Sequence, residues 1–113
     1  MNLVIVGINH TTAPVSLREK VAFAPDALGL ALHDLRSTET LDEVAILSTC
    51  NRTEIYAIAE QGSQPRITQW LADYHKLPFV TLSACVYMHT GPASIKHLLR
   101  VAAGLDSMVL GEP

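Results

Sequence analysis

The chain has 113 residues, 49% of them hydrophobic, and a formal net charge of -3, which suits one compact domain around one core. No run of Lys or Arg appears, so a diffuse electrostatic nucleic-acid surface is excluded as the main means of binding. Cys50 and Cys85 are the only cysteines and form neither a disulfide framework nor a zinc-ligand spacing; free thiols without a signal peptide point to a reducing, cytoplasmic setting and to no metal.

Leu3-Val4-Ile5-Val6-Gly7-Ile8 is a nearly continuous apolar run, far too short to span a bilayer, and predicts a strand buried on both faces. Asn9 to Pro14 follows as a polar loop. Ser16 with Glu19 three residues on is a capping-box pattern and predicts that a short helix begins there. Pro25 opens the next helix, with Asp26 near its positive end and Leu28, Ala31, Leu32 and Leu35 on one buried face. Ser37 to Thr40 reads as a loop. A hairpin then runs from Val44 to Ala59. Gln61-Gly62-Ser63 breaks it, and Pro65 opens a helix with Ile67, Trp70, Leu71 and Tyr74 on one face, ended by Lys76-Leu77-Pro78. Ala84 to Met88 reads as a fourth strand. Gly91-Pro92 starts a last helix with Ile95, Leu98, Leu99 and Ala102 toward the core, and Gly104 is its stop. The order β-α-β-β-α-β with an additional C-terminal helix is an α+β, ferredoxin-like sandwich. The tail carries Leu105, Met108, Val109 and Leu110 just before the sequence ends, which predicts a fragment of a longer protein. No G-x-G-x-x-G occurs, so no dinucleotide-binding unit is expected in these residues.

The hairpin holds the chemistry. Val44-Ala45-Ile46-Leu47 and Ile55-Tyr56-Ala57-Ile58-Ala59 read as strands, with Ser48-Thr49-Cys50-Asn51-Arg52-Thr53-Glu54 between them. A thiol two residues from a guanidinium, on a tight connection, is a candidate nucleophile, because positive charge favours the reactive thiolate. A cysteine at a strand end is otherwise a small buried hydrophobe; the polar neighbours of Cys50 argue against that here. Cys85, in an apolar stretch, reads as packing. His10 and His89 receive no role, although His10 follows a strand end where a pocket-lining position can arise.

Three segments resemble the N-terminal catalytic domain of the glutamyl-tRNA reductase family: Gly7 to Pro14, Leu47 to Glu54, and His97 to Pro113, the last containing Gly104-Leu105-Asp106-Ser107. The resemblance covers essentially the whole chain. It implies that residues 1–113 are a single glutamate-recognition domain, without the NADPH-binding and dimerisation domains of the full enzyme. The implied reaction is NADPH-dependent reduction of glutamyl-tRNA to glutamate-1-semialdehyde for tetrapyrrole (porphyrin, haem) synthesis. Cys50 then attacks the ester carbonyl and forms a glutamyl thioester, splitting one hard step into two easier ones. Thr49, Cys50, Asn51 and Arg52 carry over as the substrate-binding stretch, with Arg52 offering a fork of donors to the glutamate carboxylate. The alternative for Arg52 is a surface residue paired with a neighbour such as Glu54, and Glu54 can instead orient it. His97 matches a histidine important for activity, able to take the thiol proton or protonate the departing ribose hydroxyl. Its helical position is offset from the Ile95, Leu98 and Leu99 stripe. Ser107, Glu112 and Pro113 match substrate-contacting positions. A homodimer, a downstream glutamate-1-semialdehyde aminomutase as partner, and no membrane association complete what the resemblance implies. A second class stays open, a non-catalytic ferredoxin-like module binding a small molecule or a partner through its sheet. Titrating the two thiols separates the classes: a selectively activated Cys50 favours the first.

Overall fold

The computed structural model describes residues 2–41, 43–60 and 62–102. Four strands, β1 (Asn2–Asn9), β2 (Val44–Ser48), β3 (Arg52–Ala59) and β4 (Tyr87–Thr90), form one sheet in the order β2-β3-β1-β4. Every neighbouring pair is antiparallel. Among the described residues five α-helices accompany the sheet, α1 (Val15–Val21), α2 (Leu28–Glu39), α3 (Gln64–Tyr74), α4 (Phe79–Ser83) and α5 (Pro92–Ala102), with a 3-10 turn at Pro25–Ala27 leading into α2. This is the ferredoxin-like order expected from the sequence, with a short extra helix before β4.

Side chains alternate across a strand, and here the alternation separates two kinds of face. Val4, Val6 and Ile8 of β1 pair in register with Ala57, Ile55 and Thr53 of β3. The apolar members of this set join Leu17, Val21, Ala31, Leu35, Ile67, Leu71 and Leu82 from α1 to α4 in the main core. The other face carries Ile5, Gly7, Glu54, Tyr56 and Tyr87 in adjacent register, and α5 contacts β4 and β1. The sheet is therefore covered on both sides, by four helices on the apolar face and by α5 on the mixed one.

Several local expectations need correction. Ser16 does not cap α1: the N-cap is Pro14, without a side-chain cap. The loop before the helix is instead closed by Asn9, whose Oδ1 accepts hydrogen bonds from the backbone N–H of Thr11 (2.9 Å) and Thr12 (3.2 Å). Helix α2 continues through Ser37, Thr38 and Glu39, where a loop was expected. The Ser37 hydroxyl donates back to the His33 carbonyl at 2.8 Å, which satisfies a polar residue within a helix, and the helix ends at left-handed Thr40. Pro78 serves as N-cap of α4 as well as following the end of α3. The fourth strand accordingly begins at Tyr87 rather than Ala84, and Cys85 lies between α4 and β4, partly buried against the main core. Arg52, Thr53 and Glu54 belong to β3, so the hairpin connection is only Thr49-Cys50-Asn51.

The largest correction concerns α5. Its buried residues are Ser94, His97 and Val101, whereas Ile95 is 55% and Leu99 65% exposed. Of the apolar stripe expected to face the core, Ile95 and Leu99 face outward, while Leu98 lines a cleft against Leu3, Ala45, Leu47 and Tyr56 of the sheet. The physical reason is the sheet beneath: it presents a buried carboxylate, which hydrophobic side chains cannot satisfy and His97 can. Gly104 and the tail lie outside the described residues.

Gly7 makes this face possible. It sits between Glu54 and Tyr87 in register, and a Cβ there would lie 2.8 Å from Glu54 Cγ, 3.0 Å from the Thr53 carbonyl oxygen and 3.1 Å from Tyr87 Cζ. Replacing Gly7 by Ala should lower stability by about 1–3 kcal/mol, the usual cost of overpacking, as read by urea unfolding. An unchanged midpoint would show that Glu54 and Tyr87 are not held by close packing against β1.

Candidate active site

The Cys50 turn is built by short-range hydrogen bonds. The Thr49 N–H donates to the Arg52 carbonyl at 2.8 Å and closes the connection. The Thr49 hydroxyl oxygen accepts from the N–H groups of Asn51 (3.2 Å) and Arg52 (3.3 Å), so the threonine side chain takes the place of a backbone acceptor inside the turn. Cys50 projects from it, exposed. It lines a cleft of about 320 Å³ with Thr49, Asn51 and the α1 side of the molecule, represented by Val15, Arg18, Glu19 and Ala22.

The turn and α1 are fixed to each other. Ser48 Oγ accepts from the Phe23 N–H at 2.9 Å, and the Thr53 hydroxyl donates to the Val21 carbonyl at 3.4 Å. Phe23, just past the helix, is buried and stacks on Trp70, with centroids 6.3 Å apart and planes 10° from parallel. Cys50 therefore stands on a rigid frame rather than a free loop.

On the mixed face of the sheet the side chains converge on Glu54, which is 0% exposed. The hydroxyls of Tyr56 and Tyr87 donate to its two carboxylate oxygens. His97 Nε2 lies 2.5 Å from Oε2, and Arg52 Nη1 lies 3.6 Å from the same oxygen. A buried carboxylate is tolerable only when paired and hydrogen-bonded, and this one has four partners from three elements. Behind His97, the His89 ring stacks at 4.4 Å between centroids, and the Tyr87 ring lies at 5.3 Å.

The structure thus brings Arg52 and His97 together through Glu54, and sets Thr49, Cys50 and Asn51 on the adjoining turn. Arg52 is only 2% exposed, so it is no surface residue. His97 is 9% exposed and faces the sheet, not solvent. Ser107, Glu112 and Pro113 lie outside the described residues. Tyr56, Tyr87, His89 and Arg18 were missed from the sequence. A signal existed for the first three: once Arg52 is placed on a strand, Arg52, Glu54 and Tyr56 share one face by period two, and so do Tyr87 and His89. Arg18 had none, because the cleft it lines is made by tertiary packing.

Burial and the Glu54 carboxylate both raise the Tyr56 and Tyr87 hydroxyls far above the ordinary tyrosine range. A raised tyrosine stabilises the fold fully at pH values below the unfolded tyrosine value of about 10 and loses that contribution as pH rises beyond it. The chain should therefore lose stability above about pH 10, with the phenolates of Tyr56 and Tyr87 appearing only as the protein unfolds. Phenolate absorbance followed beside far-UV circular dichroism checks this. Ionisation of both groups in a still-folded chain would contradict the clamp.

Comparison with known proteins was consistent at each level. The family described as the N-terminal domain of glutamyl-tRNAGlu reductase matches residues 6–113. The chain is 55% identical over its whole length to the glutamyl-tRNA reductase of Shewanella denitrificans, covering 27% of that protein, and 50% identical to that of Marinobacter nauticus, covering 26%. It superposes on a glutamyl-tRNA reductase from Methanopyrus kandleri with a TM-score of 0.75 and 32% identity, over 97% of this chain and 24% of that one. It thus spans about a quarter of the length of these relatives. The sequence match and the fold agree, and the chain belongs to the glutamyl-tRNA reductase N-terminal domain family.

Proposed function

We propose that this chain is the acyl-accepting, glutamate-recognition domain of an NADPH-dependent enzyme that converts glutamyl-tRNA to glutamate-1-semialdehyde for tetrapyrrole synthesis. The observation that carries the reading is an exposed thiol, Cys50, on a turn pinned at Ser48 and Thr53 and continuous with the buried Arg52–Glu54–His97 cluster. In this reading Cys50 Sγ attacks the ester carbonyl joining glutamate to the terminal ribose. The carbon–oxygen bond to the ribose breaks, a thioester forms, and the thiol proton ends on the ribose hydroxyl. His97, held by Glu54, is the group that carries this proton. Thr49 and Asn51 flank the reacting carbonyl, Arg52 reads the glutamate side-chain carboxylate, and Ser107, Glu112 and Pro113 extend the substrate contacts.

The described residues do not fit a dinucleotide. The β1–α1 connection, His10-Thr11-Thr12-Ala13-Pro14, has no glycine, and all strand pairs are antiparallel, so no phosphate-binding turn or parallel switch point is present among them. The reading places NADPH on a further domain, which the greater length of the relatives accommodates. A homodimer and transfer of the aldehyde to an aminomutase belong to the same reading, as does a cytoplasmic setting. No helix among the described residues is long and apolar enough to cross a membrane, and no group of His, Cys, Asp or Glu among them is arranged to hold a metal.

Incubating the chain with glutamyl-tRNA and mapping peptides by mass spectrometry tests the reading. A glutamyl adduct should appear on Cys50 and none on Cys85, with slow release of free glutamate to water, and both should vanish in Cys50→Ala. Repeating the assay with glutaminyl-tRNA reads Arg52: the wild type should discriminate and Arg52→Lys should lose roughly tenfold or more of that discrimination, since Lys keeps the charge without the fork. Equal glutamate release by wild type and Cys50→Ala, with no adduct on folded protein, would refute the acyl-accepting role.

A further inference from the structure

Two arginines flank the Cys50 turn from opposite sides of the sheet. Arg52 lies on the mixed face, buried against Glu54. Arg18 lies on α1, whose Leu17 and Val21 pack into the apolar face, and it lines the same 320 Å³ cleft as Thr49, Cys50 and Asn51. The helix carrying Arg18 is fixed at both ends, by the Asn9 loop before it and by the Ser48 and Thr53 bonds to Phe23 and Val21 after it. The guanidinium is therefore mounted on a rigid element beside the nucleophile.

Its chemistry is unfinished. Arg18 Nε is buried and has no hydrogen-bond partner among the described residues. A buried donor without an acceptor is costly. The guanidinium offers its donors as a planar fork that matches an oxyanion in a bidentate way. Thr49 and Asn51 add polar groups to the same cleft, and Glu19 lies on its wall.

The geometry at the attacked ester separates the choices. Two arms leave the carbonyl that Cys50 attacks, the amino acid on one side and the terminal nucleoside with its phosphate on the other. Arg52 stands on one side of the sheet and Arg18 on the other. The net charge of -3 gives these residues no broad attraction for a polyanion, so a placed cation is the means they have of holding one locally. We propose that Arg18 binds the phosphate on the 5′ side of the terminal nucleoside of the aminoacylated RNA, holding the nucleoside arm in the cleft while Cys50 attacks the ester. This rests on the acyl-accepting reading of Cys50 and adds to it a phosphate subsite.

The test uses the arginine Nε–H signals of the chain in 1H–15N spectra, with Arg18→Gln assigning the Arg18 signal. Adenosine 5′-monophosphate should shift that signal, and adenosine should not. Binding of the monophosphate should weaken roughly tenfold in Arg18→Gln, and Arg18→Lys should recover part of the loss, while the amide spectrum of each variant shows that the fold is kept. Cys50→Ala should respond to the monophosphate like the wild type. The adduct assay on the wild type with glutamyl-tRNA separates the two claims: an intact Arg18 response to the monophosphate with no glutamyl adduct on Cys50 would sink the acyl-transfer reading and leave the phosphate subsite standing. The subsite is overturned if the Arg18 signal does not move with the monophosphate, if Arg18→Gln binds it unchanged, or if glutarate shifts the signal and the monophosphate does not, which would make Arg18 a carboxylate reader.

Discussion

The carboxylate of Glu54 is the constraint on which the rest of the domain depends. Taking an ionised group out of water costs several kcal/mol even after relaxation, and nothing on an all-apolar sheet face could offset that. The surroundings are arranged accordingly. Gly7 gives up its side chain so that Glu54 and Tyr87 can approach β1. Tyr56 and Tyr87 turn their hydroxyls inward. Helix α5 presents His97 and Ser94 to the sheet and leaves Ile95 and Leu99 outside. Each of these is unfavourable or indifferent by itself, and together they satisfy one buried charge.

The two faces of the sheet consequently do different work. The apolar face supplies the packing that holds the domain together: Val4, Val6, Ile8, Ile55 and Ala57 meet side chains from four helices, and burial of each large aliphatic side chain is worth about 1.5–3 kcal/mol. The mixed face contributes less burial and more specificity, since its polar groups are satisfied in one arrangement only. The Cys50 turn sits at the junction. Its Ser48 and Thr53 neighbours bond toward α1, while Arg52 and Glu54, the alternate residues of the same strand, belong to the other face. Period-two alternation thus lets one short strand brace the Cys50 turn with one set of side chains and build the buried Glu54 cluster with the other.

The sequence made much of this visible. The apolar run of β1, the hairpin and the Ile67, Trp70 and Leu71 face of α3 follow from periodicity alone, because burial in those places is a matter of apolar side chains meeting. Cys50 and Arg52 were legible as an unusual polar insertion between strands. The account failed where a polar group sets the packing. For α5, periodicity ranks Ile95, Leu98 and Leu99 as the inner face, yet the sheet beneath asks for a hydrogen-bond donor, and that demand comes from Glu54, 43 residues away in sequence. The α4 helix was hidden for a different reason. Phe79–Ser83 is only five residues, too short to display a helical period, and Pro78 was read as a terminator although it also begins this helix. Arg18 could not be found at all before its cleft was assembled.

A double-mutant cycle between Glu54 and His97 tests the central claim most directly. Stability is measured by urea unfolding for the wild type, Glu54→Gln, His97→Asn and the double variant. If Glu54 holds His97 as a buried, mutually dependent pair, each single change removes a partner the other needs, and the double change should cost at least about 1 kcal/mol less than the sum of the singles. Additivity within about 0.3–0.5 kcal/mol, the range seen for independent sites, would contradict the account: it would mean that the two residues meet without depending on each other, and that the inward turn of α5 has another cause.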